Sequence, residues 1–181
     1  MRLLILFTAV FFLVKTTVFA QDKKITKTGQ ITFEASVPSF EEVKAVNEAV
    51  SCILNTKTGE IASLALMKGF RFKVALMEEH FNENYIESNK YPKATFRGTI
   101  KNFDLNNINK NGTKLELNGK LELHGVSKEI SAFVIVKKNG EDIELVSDFD
   151  LTPADFNIKI PKIVRQKIAE TVHVKALFLL K

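Results

Sequence analysis

From Thr113 to Leu123 the chain reads TKLELNGKLEL, with apolar and polar residues alternating. Side chains alternate faces along a strand. Leu115, Leu117, Gly119, Leu121 and Leu123 therefore share one face, and Lys114, Glu116, Asn118, Lys120 and Glu122 share the other. The Asn118-Gly119 pair within this run is a strong hairpin signal. A turn there, however, would set Leu117 against Lys120 and Leu115 against Glu122, mixing charge into the apolar face. The alternation predicts one continuous strand, with Gly119 marking a bend or a close approach. The same test at Asn139-Gly140 pairs Val136 with Ile143, Val134 with Leu145 and Ile130 with Phe149, all apolar, and predicts a hairpin.

The remaining pattern supplies the other elements. Ile31, Phe33, Ala35 and Val37 alternate as far as Pro38. The stretch SFEEVKAV that follows has Ser39 as a cap and Glu42 three residues on, which predicts a short helix over 39–46. Val50 to Leu54 and Ile61 to Met67 flank the turn sequence NTKTGE. Phe70, Phe72 and Val74 alternate with Arg71 and Lys73, and a bulge at Gly69 would keep Lys68 off the phenylalanine face. The period then lengthens to about four at Met77, Phe81 and Tyr85, as an amphipathic helix requires, and Pro92 ends that helix. Phe96, Gly98 and Ile100 resume a strand, NKNG makes a loop at 109–112, and the closing TVHVKALFLL places Val172, Val174, Ala176, Phe178 and Leu180 on one face. The fold class is mainly β: about eight antiparallel strands, in a sandwich or a closed barrel, with one inserted amphipathic helix. A closed barrel of about eight strands holds either its own side chains or one small ligand.

The first twenty residues, MRLLILFTAVFFLVKTTVFA, change the picture of where this domain works. Arg2, the apolar run Leu3 to Val14 and the small-residue site before Gln21 make a secretory leader over 1–20. Its apolar run is too short to span a bilayer core of about 30 Å. A single domain over 21–181 follows, expected in the periplasm or secreted. The lone cysteine, Cys52, cannot close an intramolecular disulfide and reads as a small buried hydrophobe. The formal charge of +5 falls to about +3 once Arg2 and Lys15 leave with the leader. The charges are interspersed and no Arg-rich run is present, which argues against nucleic acid.

Motifs for catalysis are missing: no GxSxG, HExxH, CxxC or phosphate-cradling glycine loop occurs. His124 falls on the polar face of the leucine strand and His173 on the lysine side of the last strand. His80 with Glu83 or Asn84 has metal-binding spacing on a helix, but a solvated helix face accounts for it. Ser127 near His124 lacks a third group to make a triad. No catalytic residue, metal ligand or cofactor is expected. Asn111-Gly112-Thr113 matches a glycosylation sequon that turn chemistry already explains. Lys159, Lys162, Arg165 and Lys167 lie in KIPKIVRQK with no acid among them. This run reads as a solvated loop, and it could also make transient contact with an anionic membrane surface.

NKYPKATFRGTI followed by LNGKLELHGVSKEI resembles the YceI-like family of secreted lipid-binding proteins. Members show Y-P-x-x-x-F and then G-x-L-x-x-H-G-V-[ST]-K. Those positions here are Tyr91, Pro92 and Phe96, then Gly119, Leu121, His124, Gly125, Val126, Ser127 and Lys128. The chain departs from the family in having no Trp and no early His-Ser pair, and in carrying Met77-Glu78-Glu79-His80-Phe81 where Arg-Asp often precedes His-Leu. The resemblance implies an extended, lipocalin-like antiparallel barrel holding a polyisoprenoid lipid or isoprenoid quinone by its tail. On parity, the interior residues that would meet the lipid are Phe33, Phe70, Phe72, Phe96, Ile100, Leu117, Leu121, Leu123, Phe149 and Phe178. Met77, His80, Phe81 and Tyr85 would stand at the entrance. An enzyme built in the same barrel on His80 or another histidine is the alternative, and a structural protein with a filled core is a third reading. A homodimer is left open.

Overall fold

The computed structural model describes residues 22–181, so the expected leader lies outside the described residues. The strands are β1 (Lys23–Glu34), β2 (Lys44–Asn55), β3 (Glu60–Leu66), β4 (Arg71–Phe72), β5 (Lys93–Ile100), β6 (Thr113–Leu123), β7 (Val126–Asn139), β8 (Asp142–Leu151) and β9 (Val172–Leu180). They neighbour one another in the order β1-β9-β8-β7-β6-β5-β3-β2, and β1 pairs back onto β2. The result is a closed antiparallel barrel of eight strands with β4 as an extra ninth. Closure gives each of the eight barrel strands a neighbour on both sides, where a sandwich would leave edge strands exposed. β4 pairs with Ala45 and Val46 of β2, beyond the stretch Ser51–Leu54 that β3 reaches.

Antiparallel neighbours send successive connections to opposite ends of the barrel. Residues 35–43, 67–92, 124–125 and 152–171 gather at one end, and 56–59, 101–112 and 140–141 at the other. The second end is plugged by Val50, Leu54, Ile61, Ile100, Ile143 and Leu180, all buried. The first end carries the long connections, and it is the mouth.

The leucine strand runs through Asn118-Gly119 as its alternation requires, pairing with β5 on one side and β7 on the other. Gly119 lies opposite Gly98 of β5. The Phe96 ring covers both glycines: a Cβ would meet Phe96 Cζ at 2.6 Å from Gly98 and 2.7 Å from Gly119. Gly119 therefore provides close packing inside the wall rather than a turn. The turn comes five residues later, where His124 (φ 51°) and Gly125 (φ 73°) join β6 to β7. Positive φ at both central residues is what a type I′ hairpin demands.

Several expectations are corrected. The hairpin between β7 and β8 exists, but it turns on Gly140-Glu141, so Val136 faces Leu145 and Val134 faces Ser147. The shift of two residues keeps every side chain on its expected face. Gly140 (φ 65°) occupies the first central position and Glu141 the second, the arrangement of a type II′ turn. No helix forms over 39–46. Ser39 has φ 72°, and from Lys44 the chain is already β2, because Ala45 pairs with Phe33 on the strand that closes the barrel. Tertiary pairing overrides the capping signal here. In place of a bulge at Gly69 there is a 3-10 turn over Met67–Gly69. Asn47 occupies the space a Cβ at Gly69 would need, and its amide donates to Leu66 O at 2.9 Å. The helix is shorter than its pattern suggests: α1 spans Ala75–His80 and continues as a π-helical turn over Phe81–Tyr85. Val74 precedes that helix rather than extending β4.

Candidate functional site

A cavity of about 440 Å³ opens at the mouth. Its walls come from β1, β3, β5, β6, β8 and β9, and from the long connections at this end. Only Glu41, His80, Tyr85 and Lys167 bring charged or hydrogen-bonding ends to the lining; the other lining residues are apolar. Burial pushes the Tyr85 phenol up from its ordinary value. A second space of about 90 Å³ continues deeper, lined by Phe96, Leu117, Val134, Leu145 and Phe178 among others. The two share Ile31, Ala65, Ala94, Leu121, Phe149 and Val174, so they lie against one another. The charged groups of the lining stand at the mouth, and the deeper space adds only the hydroxyls of Ser63, Thr95 and Ser147. Such a mostly apolar cavity takes a hydrocarbon chain out of water while leaving a polar head outside.

One wall of the cavity is built of phenylalanine. Phe33 from β1 meets Phe70, Phe72 and Phe81 with ring centroids 5.3–5.6 Å apart, and Phe81 closes the group at 5.9 Å from Phe70 and 5.2 Å from Phe72. Tilted and edge-on pairs at these separations are favourable beyond the area they bury. They seat α1 on the rim. Glu78 locks the same joint: its carboxylate accepts from Arg71 Nη1 at 2.7 Å and from the Phe72 backbone N–H at 3.2 Å.

His124 ties the mouth together. Its side chain is buried, with Nδ1 3.0 Å from Phe156 O and Nε2 3.0 Å from Glu87 Oε2. Phe156 O can only accept, so Nδ1 donates to it, and Nε2 faces the Glu87 carboxyl. Tyr91 packs on the same ring with centroids 4.3 Å apart, and it occupies the space a Cβ on Gly125 would need. One imidazole thus joins the β6–β7 turn, the segment after the helix and the connection between β8 and β9.

That last connection is a strap across the mouth. After the 3-10 turn Pro153–Phe156, residues 157–171 pass over the opening in turns, and Ile158, Ile160, Val164 and Ile168 line the cavity beneath. The strap is fastened at Phe156 O by His124 and at Ala169 N, which donates to Ala35 O at 2.9 Å. Among the described residues, no hydrogen bond links 157–168 to another element; their backbone bonds stay within the strap and the turn it leaves.

The family model of the YceI-like domain matches residues 8–178. The chain belongs to the YceI-like family. Three solved structures share the fold at 16% sequence identity. A polyisoprenoid-binding domain from Saccharophagus degradans, implicated in plant cell wall breakdown, superposes with a TM-score of 0.75, covering 88% of this chain and 98% of that one. Burkholderia cenocepacia BcnA gives 0.69 over 84% and 96%, and the Campylobacter jejuni YCEI protein 0.60 over 80% and 89%. No curated protein matches the chain.

The YceI-like motifs acquire a spatial meaning in this barrel. The Y-P segment and the H-G-V segment, far apart in sequence, meet as the Tyr91–His124 stack, while Phe96 covers the Gly98-Gly119 pair. His124 is accordingly not on the polar outer face of β6, where alternation put it; the turn rotates it inward. Of the interior residues expected from parity, Phe33, Phe70, Phe72, Leu121, Leu123 and Phe149 line the main cavity. Phe96, Leu117 and Phe178 line the deeper space along with Leu121 and Phe149. Ile100 lines neither: β5 carries it to the plugged end, where it is 1% exposed. Met77, His80, Phe81 and Tyr85 all line the cavity. Alternation could not reveal the lining of the strap, because turns have no period, nor Glu87, whose role depends on a ring 37 residues away. The strap's one sequence-level sign is its interleaving of Ile and Val with Lys and Arg.

Among the described residues, no group of three or more His, Cys, Asp and Glu side chains comes together that could hold a metal ion. Cys52 is buried in β2, and burial pushes its thiol from 9.0 up to about 12. Folded protein at pH 8 should therefore resist alkylation by iodoacetamide, while protein in denaturant reacts at the rate of a free thiol. The folded state holds this proton more tightly, so its contribution to stability is whole below pH 9 and is lost as pH rises toward about 12. Labelling of the folded protein as fast as the unfolded chain would contradict this burial.

Proposed function

We propose that this YceI-like protein is a binding and carrier protein that holds a polyisoprenoid lipid or isoprenoid quinone by its tail inside the barrel. The observation that carries this reading is the mostly apolar cavity at the mouth, with its charged lining groups Glu41, His80 and Lys167 and a smaller, mostly apolar space adjoining it below. Similarity to the polyisoprenoid-binding domain of Saccharophagus degradans supports the class of lipid. The protein works by binding rather than catalysis and needs no cofactor. The cavity is complete within one chain. Its place is the periplasm or the extracellular space, reached through the leader at 1–20. The residues that grip the tail are Phe33, Phe70, Phe72, Phe81, Leu121, Leu123 and Phe149, with Phe96, Leu117 and Phe178 around its end and His80 and Tyr85 beside the head.

Tail length is the test. Each buried methylene contributes about 0.8 kcal/mol, so one five-carbon unit adds up to about 4 kcal/mol. Ordering the flexible tail offsets part of this and leaves about 2–4 kcal/mol per unit. In titrations with geraniol, farnesol and geranylgeraniol, affinity should climb with each unit and level off once the channel is full. Affinity that follows the headgroup and ignores tail length would overturn tail binding. Mass spectrometry of an organic extract of the purified protein would then identify the native lipid.

A further inference from the structure

The strap has two sides with opposite chemistry. Ile158, Ile160, Val164 and Ile168 face the cavity. On the outside, Ile163 is 88% exposed, whereas the other exposed large apolar side chains are 40–57% exposed. Lys159, Lys162 and Arg165 flank Ile163 in sequence, and Lys167 stands at the cavity rim; all four are exposed, and none is in an ion pair among the described residues. No acid lies between Asp155 and Glu170. Phe40, 46% exposed, stands on the same rim, and Leu76, 57% exposed, belongs to the helix at this end.

We propose that the outer face of residues 157–168 is a docking surface for an anionic lipid bilayer, and that docking opens the cavity. This rests on the reading of the cavity as a lipid-tail site. Ile163 and Phe40 enter the interfacial layer, and Lys159, Lys162 and Arg165 pair with anionic headgroups around them, as an exposed apolar residue set among Lys and Arg does at a membrane surface. The strap between Phe156 and Ala169 is held over the mouth by apolar contacts, without hydrogen bonds to another element among the described residues. An apolar bilayer can replace those contacts, so the surface that recognises the membrane is also the lid of the channel. A tail then passes from bilayer to barrel without crossing water, which is the costly step for a long hydrocarbon.

The experiment is co-sedimentation of the mature protein with vesicles of phosphatidylcholine alone or with about 30 mol% phosphatidylglycerol, a composition that gives the negative surface potential cations respond to. Wild type should bind the anionic vesicles, bind the neutral ones weakly, and release as salt rises. Lys162→Ser should weaken binding about fivefold, and Ile163→Ser about tenfold or more. Substitution at a side chain this exposed leaves the fold intact. Geranylgeraniol offered in detergent micelles separates the two proposals. Ile163→Ser should take it up with wild-type affinity, yet extract it from vesicles more slowly. Equal binding of wild type and both variants to anionic vesicles overturns the docking surface, as does loss of micellar uptake in Ile163→Ser, which would place Ile163 in the cavity site. Vesicle binding without any uptake of geranylgeraniol would leave the docking surface standing and overturn the tail-binding function.

Discussion

Leu121→Asp should abolish tail retention and remove most of the protein's stability. Leu121 lines both the main cavity and the deeper space, so its side chain sits where the two join. A carboxylate there would face Ile31, Ala65, Ala94, Phe149 and Val174, the apolar residues common to both spaces, with no cationic side chain lining the deeper one. An unpaired buried charge costs several kcal/mol even after the protein relaxes, against a total stability of about 5–15 kcal/mol. Lys120→Asp, one residue away, is the control. Lys120 is exposed on the outer face and its ion pair with Glu129 at 3.7 Å lies in solvent, so its loss should change little. Because Leu121→Asp can fail by unfolding, Leu121→Trp is the companion: the larger apolar side chain occupies the channel, keeps the barrel folded and blocks the tail. Urea denaturation and geranylgeraniol titration read the two effects separately. A folded Leu121→Trp protein that binds the tail as wild type does would show that the channel is not the binding site.

The second large effect is expected at His124. Asn tolerates the left-handed backbone at this position but is too short to reach both Phe156 O and Glu87. His124→Asn removes two hydrogen bonds, one to a backbone carbonyl and one to the Glu87 carboxyl, a loss of about 2–4 kcal/mol. For a domain of this size that lowers Tm by about 5–15 °C. The strap also loses its tie at Phe156, so a bound tail should leave faster. Glu87→Gln keeps a neutral partner for Nε2 and should cost less, and in the double variant the Gln substitution should add little beyond the loss at His124. A His124→Asn protein within about 0.5 kcal/mol of wild type would mean the imidazole bears no share of the mouth.

Much of the barrel was legible because a strand writes its environment into a period of two. The leucine run of β6, the Val/Ile faces of β7 and β8 and the last strand all read correctly, and parity alone rejected Asn118-Gly119 as a turn. Parity also fixed which face pointed inward, so nine of the ten interior residues line the channel. Depth is another matter. Ile100 has the right face but the wrong end, and nothing in alternation says how far along the barrel a residue sits.

The misreadings have a common cause. Ser39 and Glu42 have the chemistry of a helix start, yet β1 needs β2 beside it to close the barrel, and that long-range pairing outweighs a local cap. At β7–β8, Asn139-Gly140 offered one turn and Gly140-Glu141 another of equal parity; the chain takes the register in which Gly140 supplies the single positive φ.

By itself the sequence determined the mainly β class, the inward face of each long strand and, through the Y-P and H-G-V segments, the resemblance to the family. These are local quantities: the alternation of neighbours and the identity of residues at fixed spacing. Only the tertiary structure decided that the sheet closes, that the cavity lies toward one end, and that His124 turns inward to bind Glu87 and Phe156. It also decided that a basic stretch without a period lines the mouth of the cavity. Each of these depends on groups brought together from distant parts of the chain, and no local pattern encodes that meeting.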